Sequence, residues 1–591
     1  MRFFSFFTFS LFYGKLIEGG NASVNERASC RDTLLHSRVS ASEFMQKILS
    51  AEEMREVDRL TTEKYGVPSL LLMENAAGAA ARAITEKFGG SVEGESVLVL
   101  CGKGSNGGDG AALARILWTL GADVEVCLFG KVEETKGDAR INFEILDNIA
   151  NFEGFELDQA DLAFEEIEDL EEWLEYDSLN FHQDDPDILI DALFGTGLRG
   201  KLEDVYEQAA AFIAAFNEDD GERNTFVVSL DLPSGLNADE SGIHSAHPRA
   251  HLTITFTAPK AANVLPPASN YNGELVVANI GSPFELIENS PSQLFLTERQ
   301  DAKHWLEQTK FSDASYKNKR GHALIIAGSS NYTGAAVLCG DAAIRSGVGL
   351  VTIATPESSK SAIASRVLPE VMVRGVAETE NGAIAEDAFA EIEKFWENVD
   401  AIAIGSGLSS SEESTKKLVR KVVENRKTPV VIDADGLNSL APFDAQGSDD
   451  LPLILTPHEG EFLRLLGTKE KDILTDRVKA VRDVAQKHAV ILVLKGERAL
   501  IAAPDGRVVV NPTGNSGLGK GGNGDTLTGI LAGFVAQAVQ MRVDIFETVV
   551  AAIYFAGFAG DIAETKFGKR VMTASDVREC LAEAFEEIER N

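Results

Sequence analysis

The chain has 591 residues, of which 44% are apolar and 25% are charged, so it is long enough for more than one globular domain. Its 92 acidic residues against 55 Lys and Arg give a formal net charge of −37, which disfavours binding to nucleic acid or to an anionic membrane surface. Five scattered cysteines without a CxxC pair argue against a disulfide framework or a zinc site and favour a reducing, cytoplasmic setting.

Residues 1–44 begin with a Phe-rich apolar run that is too short to span a bilayer. The run has the composition of a signal-peptide core headed by Arg2, but no convincing small-x-small cleavage site follows it. We favour a translation start at Met45, because Ser50 and Glu53 then form a capping box at the first helix. Residues 1–44 are therefore predicted to be an N-terminal extension, either untranslated or disordered.

Residues 45–281 alternate short apolar strands with helical stretches, which predicts a parallel sheet covered on both faces. Residues 153–187 within this region hold fifteen carboxylates and no Lys or Arg. These carboxylates lack a calcium-ligand spacing, so we expect a solvated surface insertion rather than a metal site or a basic-partner site. The strands are predicted at 95–101, 123–130, 186–195, 224–235 and 251–260.

A composition break at 282–297 is typical of a linker, and a second alternating series follows it. Each half has its own glycine-rich loop and enough apolar strands for its own core. We therefore predict two α/β domains at 45–281 and 298–591, and the first is expected to be a Rossmann-like three-layer α/β/α sandwich.

The glycine loop of the first half has the pattern Gly102-x-Gly104-x-x-Gly107 between a predicted strand and a helix, which fits a dinucleotide-binding loop. Asn106 and Asp109 depart from that pattern, because oxygen-bearing side chains suit a cation or a hydroxylated group better than a diphosphate. The alternative for Asp109 is that it caps its own helix.

Two further predicted strands of the first half end in acidic residues. Asp191 closes one strand, and Asp231 ends another shortly before Ser234. Ligands in open α/β sheets bind beyond the carboxyl ends of the strands, so we expect these side chains to meet Asn106 in an oxygen-rich cluster. No His or Cys lies near these motifs, and the cluster therefore favours a hard cation.

The motifs GKGSNGGDG, DALFGTGLRG and DLPSGLNAD resemble those of the NAD(P)H-hydrate epimerase family. The resemblance implies a K⁺ ion held by Asn106, Asp191 and Ser234, with Asp231 as our candidate acid/base. Ser105 stands where the family usually has Asn, which places a direct contact there in question. The hydrated dinucleotide is implied to bind to Ser105, Asn106, Gly107, Gly108, Asp109, Gly195, Thr196, Gly197, Leu198, Arg199, Gly200, Lys201 and Asp231.

The second half carries its sharpest signal at 517–528, GLGKGGNGDTLT, directly before an apolar helical run. Glycines at a helix start expose successive N–H groups, which stabilise the charge that develops on a transferred phosphoryl group. Asp525 lies in the predicted first turn, where it can accept a proton from an attacking hydroxyl. His458 and Lys495 end two neighbouring predicted strands and are candidates for the same rim.

The second-half motifs YTGAA, GSGL, DADGLN, LTPHEGE and GKGGNGD resemble the ADP-dependent NAD(P)H-hydrate dehydratase family of the ribokinase-like superfamily. The resemblance implies a ribokinase-like α/β/α domain, with Mg²⁺ accompanying the nucleotide. The hydrate is implied to bind to Ala335, Gly407, His458 and Asp525. ADP is implied to bind to Lys495, Gly496, Glu497, Arg498, Ala499 and Gly524.

Together the two resemblances imply a fused cofactor-repair enzyme. The first half would interconvert the R and S forms of hydrated NADH or NADPH, and the second would dehydrate the S form at the expense of ADP. The alternative is a vitamin or sugar kinase with a non-catalytic N-terminal binding domain. A dehydrogenase is disfavoured because no catalytic pair for hydride transfer accompanies the glycine loop. We expect only small-molecule partners, no nucleic acid or membrane, and a homo-oligomer.

Overall fold

The computed structural model describes residues 45–152, 160–180, 185–216 and 224–590, and these belong to one compact unit. The N-terminal extension predicted for 1–44 lies outside the described residues. The strands are β1 Gln46–Lys47, β2 Ser96–Cys101, β3 Asp123–Phe129, β4 Leu162–Ile167, β5 Ile188–Ala192, β6 Phe226–Leu230, β7 Leu252–Phe256, β8 Glu274–Ala278, β9 Leu294–Leu296, β10 His322–Ile326, β11 Leu350–Pro356, β12 Met372–Val376, β13 Ala401–Ile404, β14 Val430–Ile432, β15 Leu453–Leu455, β16 Ile491–Leu494, β17 Leu500–Ala502 and β18 Val508–Val510.

The helices alternate with these strands along both halves of the described chain. They are α1 Ala51–Tyr65, α2 Ser69–Lys87, α3 Ser105–Thr119, α4 Gly137–Ala150, α5 Leu170–Asn180, α6 Asp204–Ala215, α7 Ala261–Val264, α8 Phe284–Glu288, α9 Arg299–Gln308, α10 Thr333–Arg345, α11 Glu357–Ala364, α12 Phe389–Glu393, α13 Glu413–Glu424, α14 Asp435–Ser439, α15 Glu459–Leu465, α16 Arg477–His488, α17 Asn523–Met541, α18 Ile545–Phe567 and α19 Ala574–Arg590. Ser50 and Glu53 form the predicted capping box of α1.

The first sheet has seven parallel strands in the order β4-β3-β2-β5-β6-β7-β8. Alternate residues of β2 face opposite layers: Val97 and Val99 pack with α2, α3 and α4, whereas Leu98 and Leu100 pack with α5 and α6. Helices therefore cover both faces, which confirms the α/β/α prediction. The strand order reverses between β2 and β5, and this switch point opens a crevice at the carboxyl ends of the strands.

The second sheet has eleven strands in the order β1-β9-β18-β17-β16-β15-β14-β13-β10-β11-β12. The run from β16 to β12 is parallel, and β17 pairs antiparallel with both β16 and β18. One face packs against α9, α10, α17, α18 and α19, and the other packs against α13 to α16. Its strand order reverses between β10 and β13, which sets the place of the second crevice.

The segment predicted as a linker, 282–297, contains α8 and β9 and differs from a simple connection. β9 pairs with β18, and β1 then pairs with β9 through Gln46 and Lys47. The ammonium of Lys47 donates to the carbonyl oxygens of Glu288 and Ser290 at 2.7 Å each. Strands from outside the second half thus cover the edge of β18, which would otherwise expose unpaired backbone groups.

Part of the acidic region 153–187 also belongs to the fold. β4 pairs with β3 as the edge strand of the first sheet, and α5 buries Trp173 against Phe129 and Phe212 with ring centroids 5.1 and 5.2 Å apart. The exposed carboxylates of β4 and α5 face solvent, as predicted, but the apolar residues between them complete the outer layer. Residues 153–159 and 181–184 lie outside the described residues.

Helix α18 is the one helix among the described residues that is long and apolar enough to cross a membrane. Most of its apolar window is buried inside the protein, where α18 packs beside α17 and α19. Burial in the core of the second half therefore accounts for its composition.

Candidate functional sites

The first site lies at the switch point between β2 and β5. Asp231 directly follows β6 and adopts a left-handed backbone conformation with φ 66°, which is uncommon for a residue other than glycine. Its Oδ1 atom accepts hydrogen bonds from Lys260 Nζ at 2.6 Å and from the Thr255 hydroxyl at 3.1 Å. Its Oδ2 atom accepts from the backbone N–H of Thr196 at 3.0 Å. The Lys260 side chain is only 1% exposed, so the pair forms in a dry environment.

Two further carboxyl groups surround this ion pair. Burial raises the pKa of Asp109 well above its usual range, and the charges of Asp231 and Asp58 raise it further. Burial also raises the pKa of Asp58 to about 6, where Lys260 opposes the shift and Asp231 adds to it. One buried oxygen of Asp58 has no hydrogen-bond partner in the described part of the chain. The site thus combines an ion-paired carboxylate with two carboxyl groups whose pKa values are raised by burial.

Sequence reasoning assigned no role to Asp58 or Lys260. Asp58 lies on the face of α1 that buries Met54 and Thr61, and an acidic residue at that spacing is a signal that could have found it. Lys260 is the last residue of the apolar segment that contains β7. A lysine at such a position is usually interpreted as a solvent-exposed residue at the end of a strand. The hydrogen bond to Asp231 distinguishes Lys260 from such neighbours, and the charges of Lys260 and Asp231 that act on its carboxyl group distinguish Asp58.

The predicted cation ligands occupy adjacent strand ends. Asp191 is fully buried, and it forms no ion pair within the described ranges. Burial raises the pKa of Asp191 to about 6, although hydrogen bonds from Ser234 and Ser229 act in the opposite direction. The Ser234 backbone N–H and the Ser229 hydroxyl reach Asp191 Oδ2 at 2.8 and 3.0 Å. A buried carboxylate without a counter-charge is costly, and a cation would offset that cost.

Asn106 supplies an independent sign of a missing ligand. Its side chain is buried, and its Nδ2 atom has no hydrogen-bond partner among the described residues. Amide oxygen and nitrogen exchange places by a simple flip, so this position can present an oxygen. Amide, carboxylate and hydroxyl oxygens from Asn106, Asp191 and Ser234 form a donor set that fits a hard cation such as K⁺.

Three of the predicted glycines of the first site are required by close contacts within the protein. A Cβ atom at Gly107 would collide with the Gly102 carbonyl, and one at Gly108 would collide with Ala139, so protein contacts already require both glycines. Gly195 is needed because Asp231 Oδ2 and Asn106 Oδ1 converge on it.

The predicted residues of the first site also differ in exposure. Gly195 and Leu198 are buried, and Thr196 and Asp109 are half-buried. The exposed residues are Ser105, Gly197, Arg199, Gly200 and Lys201.

The second site lies at the switch point between β10 and β13. Lys495 follows β16, and its Nζ atom contacts Asp433 Oδ1 at 2.6 Å. The other oxygen of Asp433 accepts from the Thr528 hydroxyl at 2.9 Å. A Cβ atom at Gly524 would lie 3.5 Å from Asp433 Oδ2 and 3.7 Å from Lys495 Nζ. The ammonium therefore stands beside the N-terminus of α17, an arrangement that suits a phosphate group.

Asp525 lies half-buried in the first turn of α17. Burial raises its pKa, the nearby Ser406 hydroxyl opposes this rise, and the charge of Asp433 adds to it. A carboxyl group whose pKa moves towards neutrality becomes a better general base. The general-base role of Asp525 stays a prediction, and its position in the first turn and its raised pKa are the features that support it.

Two other strand ends meet at the same crevice. Gly407 has φ 66°, and a Cβ atom there would lie 2.9 Å from the Ala335 Cβ and 2.8 Å from the Tyr332 Cβ. His458 caps α15, because its Nδ1 accepts from the Gly460 N–H at 3.0 Å, yet its side chain remains 54% exposed. The structure therefore gives His458 a structural role and still leaves its ring accessible to a ligand.

The predicted ADP-binding segment forms a tight turn after β16. A β-bridge joins Lys495 to His458, so the turn lies beside the start of α15. Gly496 and Arg498 have positive φ values of 149° and 51°. The Arg498 guanidinium donates to the Pro512 carbonyl at 3.1 Å and is held by the protein. Glu497 is exposed, and Ala499 is half-buried.

These features define a class of protein: an α/β protein with a cluster of buried carboxyl groups at the crevice of one sheet, and a lysine beside a glycine-rich helix N-terminus at the crevice of the other. Two family profiles match the chain. One is described as YjeF-related protein N-terminus and covers residues 69–262, and the other is described as NAD(P)H-hydrate dehydratase and covers residues 323–583.

Curated relatives match nearly the whole chain. The bifunctional NAD(P)H-hydrate repair enzyme Nnr of Moorella thermoacetica is 37% identical over 544 residues, which is 92% of this chain and 97% of that protein. The enzyme of the same name from Thermofilum pendens is 33% identical over 540 residues, 91% and 96% of the two chains. A Bacillus subtilis structure described as ADP/ATP-dependent NAD(P)H-hydrate dehydratase co-crystallized with ATP/Mg²⁺ is 31% identical, covers 49% of this chain and 98% of that chain, and has a TM-score of 0.42. The chain belongs to the bifunctional NAD(P)H-hydrate repair enzyme family, as the sequence motifs predicted.

Proposed function

We propose that the chain repairs hydrated nicotinamide cofactors in two steps. The first half interconverts the R and S forms of NAD(P)HX, and the second half dehydrates the S form to NAD(P)H at the expense of ADP, which yields AMP and phosphate. Membership of the repair-enzyme family over 92% of the chain carries this proposal. The two chemically distinct crevices support it, because each step has its own site.

In the second half, Asp525 is proposed to accept the proton of the substrate hydroxyl group. The oxygen of that hydroxyl group then bonds to the β-phosphorus of ADP. The bond from that phosphorus to AMP breaks, and AMP leaves. Phosphate then departs from the ring carbon while the neighbouring carbon loses a proton, which restores the double bond. Lys495 and the N-terminus of α17 stabilise the negative charge during the transfer, and the raised pKa of Asp525 suits a base acting near neutral pH.

The remaining dehydratase contacts follow the family motifs. Ala335, Gly407 and His458 would bind the hydrate, and residues 495–499 with Gly524 would bind ADP. Among the described residues, no group of three or more His, Cys, Asp or Glu side chains is arranged to hold a metal ion. Mg²⁺ is commonly held through substrate phosphates, so we propose that it reaches this site with the nucleotide.

In the first half, inversion of the hydroxylated ring carbon requires a bond to that carbon to break and re-form, with a proton delivered and removed. We propose Asp231, ionised beside Lys260, as the base. Asp109, whose pKa is raised, is suited to hold the exchanged proton. The dinucleotide would lie against residues 105–109 and 195–201. Asn106, Asp191 and Ser234 would hold K⁺, which when bound supplies the positive charge that buried Asp191 lacks.

A cytoplasmic homo-oligomer without nucleic-acid or membrane partners is also proposed. The net charge of −37 supports the absence of polyanionic partners. Light scattering of the purified chain measures the oligomeric state directly.

The proposal is tested with an epimer mixture of hydrated NADH, by following the recovery of dihydronicotinamide absorbance. We expect the full chain to recover the whole mixture with ADP, and Asp525→Asn to slow the recovery by about 10²- to 10⁴-fold. Asp505→Asn is the matched control, because Asp505 only pairs with Arg507 at the surface. Recovery that stops after the S form would contradict epimerase activity, and phosphorylation without recovery would favour the kinase alternative.

A further inference from the structure

Arg477, the first residue of α16, carries a half-buried guanidinium that the proposed chemistry has not used. Its Nε and Nη2 atoms are buried and have no hydrogen-bond partner in the described part of the chain. Its Nη1 atom donates to the Glu497 carbonyl at 3.3 Å. Burial lowers the pKa of the guanidinium, while Glu459 and Glu497 act in the opposite direction. A guanidinium with two buried, free donors is costly unless a ligand satisfies them.

The two free donors form one edge of the guanidinium. Nε and Nη2 point in the same direction and make the fork that binds two oxygens of a phosphate or carboxylate. Glu459 and Glu497 lie close enough to influence the charge of Arg477, but neither forms an ion pair with it among the described residues. The fork therefore lacks a partner in the described part of the chain, and an oxyanion from outside the chain would supply one.

The position of Arg477 indicates which oxyanion this is. A Cβ atom at Gly496 would lie 3.3 Å from Arg477 Nη2, and apart from chain neighbours no other heavy atom lies within 4 Å of that point. Gly496 thus leaves space beside the fork. Lys495 directly precedes Gly496 in the sequence, and its ammonium group lies beside the N-terminus of α17.

We propose that Arg477 binds a phosphate of the ADP co-substrate through its Nε/Nη2 fork and, through the Glu497 carbonyl, holds the 496–498 turn against the nucleotide. This inference rests on the proposed use of ADP by the second half. It adds a nucleotide-binding residue that lies eighteen positions before the glycine and lysine motif at 495–499, outside every motif that the sequence singled out.

The test compares Arg477→Met and Arg477→Lys with Arg482→Met in the full chain. Arg482 is a matched control because it lies on the same helix, but its guanidinium donates to the Gly506 and Gln293 carbonyls. We expect Arg477→Met to raise the KM for ADP by about 10- to 100-fold, with the KM for the hydrated substrate within about twofold. Arg477→Lys should recover only part of this loss, because an ammonium keeps the charge but lacks the fork. Arg482→Met should leave the KM for ADP unchanged even where it lowers Tm.

An unchanged KM for ADP in Arg477→Met would overturn the inference. So would an equal rise of both KM values with a loss of Tm that Arg482→Met reproduces, since this would indicate a purely structural role. A rise confined to the KM of the hydrate would assign the fork to the diphosphate of that substrate instead. Full recovery in Arg477→Lys would exclude the bidentate contact. Calorimetric titration with ADP and Mg²⁺ tests the contact without turnover, so a wild type that binds ADP but fails to dehydrate would contradict only the proposed function.

Discussion

Both crevices contain a lysine–aspartate ion pair, but the two pairs differ in their exposure to solvent. Each holds a lysine–aspartate pair at 2.6 Å beyond parallel strands, Lys260 with Asp231 in the first and Lys495 with Asp433 in the second. The Lys260 side chain is 1% exposed, whereas that of Lys495 is 21% exposed. Both lysines therefore pair with a buried acid, but only the second lysine remains within reach of a ligand.

This difference in exposure corresponds to a difference in chemistry. In the first crevice, Lys260 also donates to the Thr255 hydroxyl at 2.8 Å and to the Phe256 carbonyl at 3.1 Å, so its three donors are used by the protein. In the second, Lys495 shares its charge between Asp433 and, at 3.8 Å, Glu461. A lysine whose three N–H donors are all bonded to the protein can only stabilise the charge of its neighbouring carboxylate. A lysine with an unused N–H donor can also bind a phosphate group.

Removal of Lys260 should give the largest effect on stability. Lys260→Met leaves Asp231 as an unpaired buried charge, and we expect the free energy of unfolding of the full chain to fall by about 3–5 kcal/mol, with loss of epimerisation. Urea denaturation measures the change. The double variant Asp231→Asn/Lys260→Met should be more stable than Lys260→Met alone, because no unpaired charge remains. A double variant that is no more stable would show that Lys260 acts through packing rather than through the pair.

Removal of Lys495 should act on catalysis more than on stability. Lys495→Met removes a positive charge beside the transferred phosphoryl group, and we expect dehydration with ADP to slow by about 10²- to 10³-fold. Asp433 is only 2% exposed, but the position of Lys495 is 21% exposed and would let water in beside Asp433, so the loss of stability should be smaller than that of Lys260→Met. Epimer exchange should be unaffected, which makes it the internal control. Equal losses of stability in the two variants would remove the distinction between the crevices.

The two crevices also differ in how far the sequence could predict them. The second crevice is built around 517–528, where glycines and Asp525 are contiguous, so local sequence contains most of its residues. The first crevice draws Asp58 from α1 and Lys260 from the segment that follows β7. No spacing in the sequence connects these residues, because the strand order of the sheet brings them together.

The same limit applies to the fold. The long apolar strands and their alternation with helices predicted both α/β layers. β1 and β9 have two and three residues, too few to show a period, so their addition to the second sheet could not be predicted. The segment at 282–297 was interpreted as a linker for that reason. Arg477 was missed because an arginine at the start of a helix is unremarkable until its partners are known.

The smallest predicted effect sharpens the account of the first crevice. The pKa of Asp58 is about 6 in the fold, above the ordinary Asp value of 3.8. Between these two values the unfolded chain loses its proton while the folded chain retains it, so Asp58 lowers stability as the pH rises through this window. Above about pH 6 this cost is complete. Asp58→Asn removes it, and we expect the variant to match the wild type near pH 4 and to melt at a higher temperature at pH 8.

Glu52→Gln is the matched control for Asp58→Asn, because Glu52 lies exposed on the same helix, α1. Thermal melting of the three proteins from pH 4 to pH 8 should show a pH-dependent difference for Asp58→Asn alone. A variant that melts at a lower temperature at pH 8 would mean that ionised Asp58 is stabilised by Lys260 more than burial destabilises it. Lys260 would then serve two carboxylates, and Asp58 would join Asp231 as a base instead of holding a proton beside it.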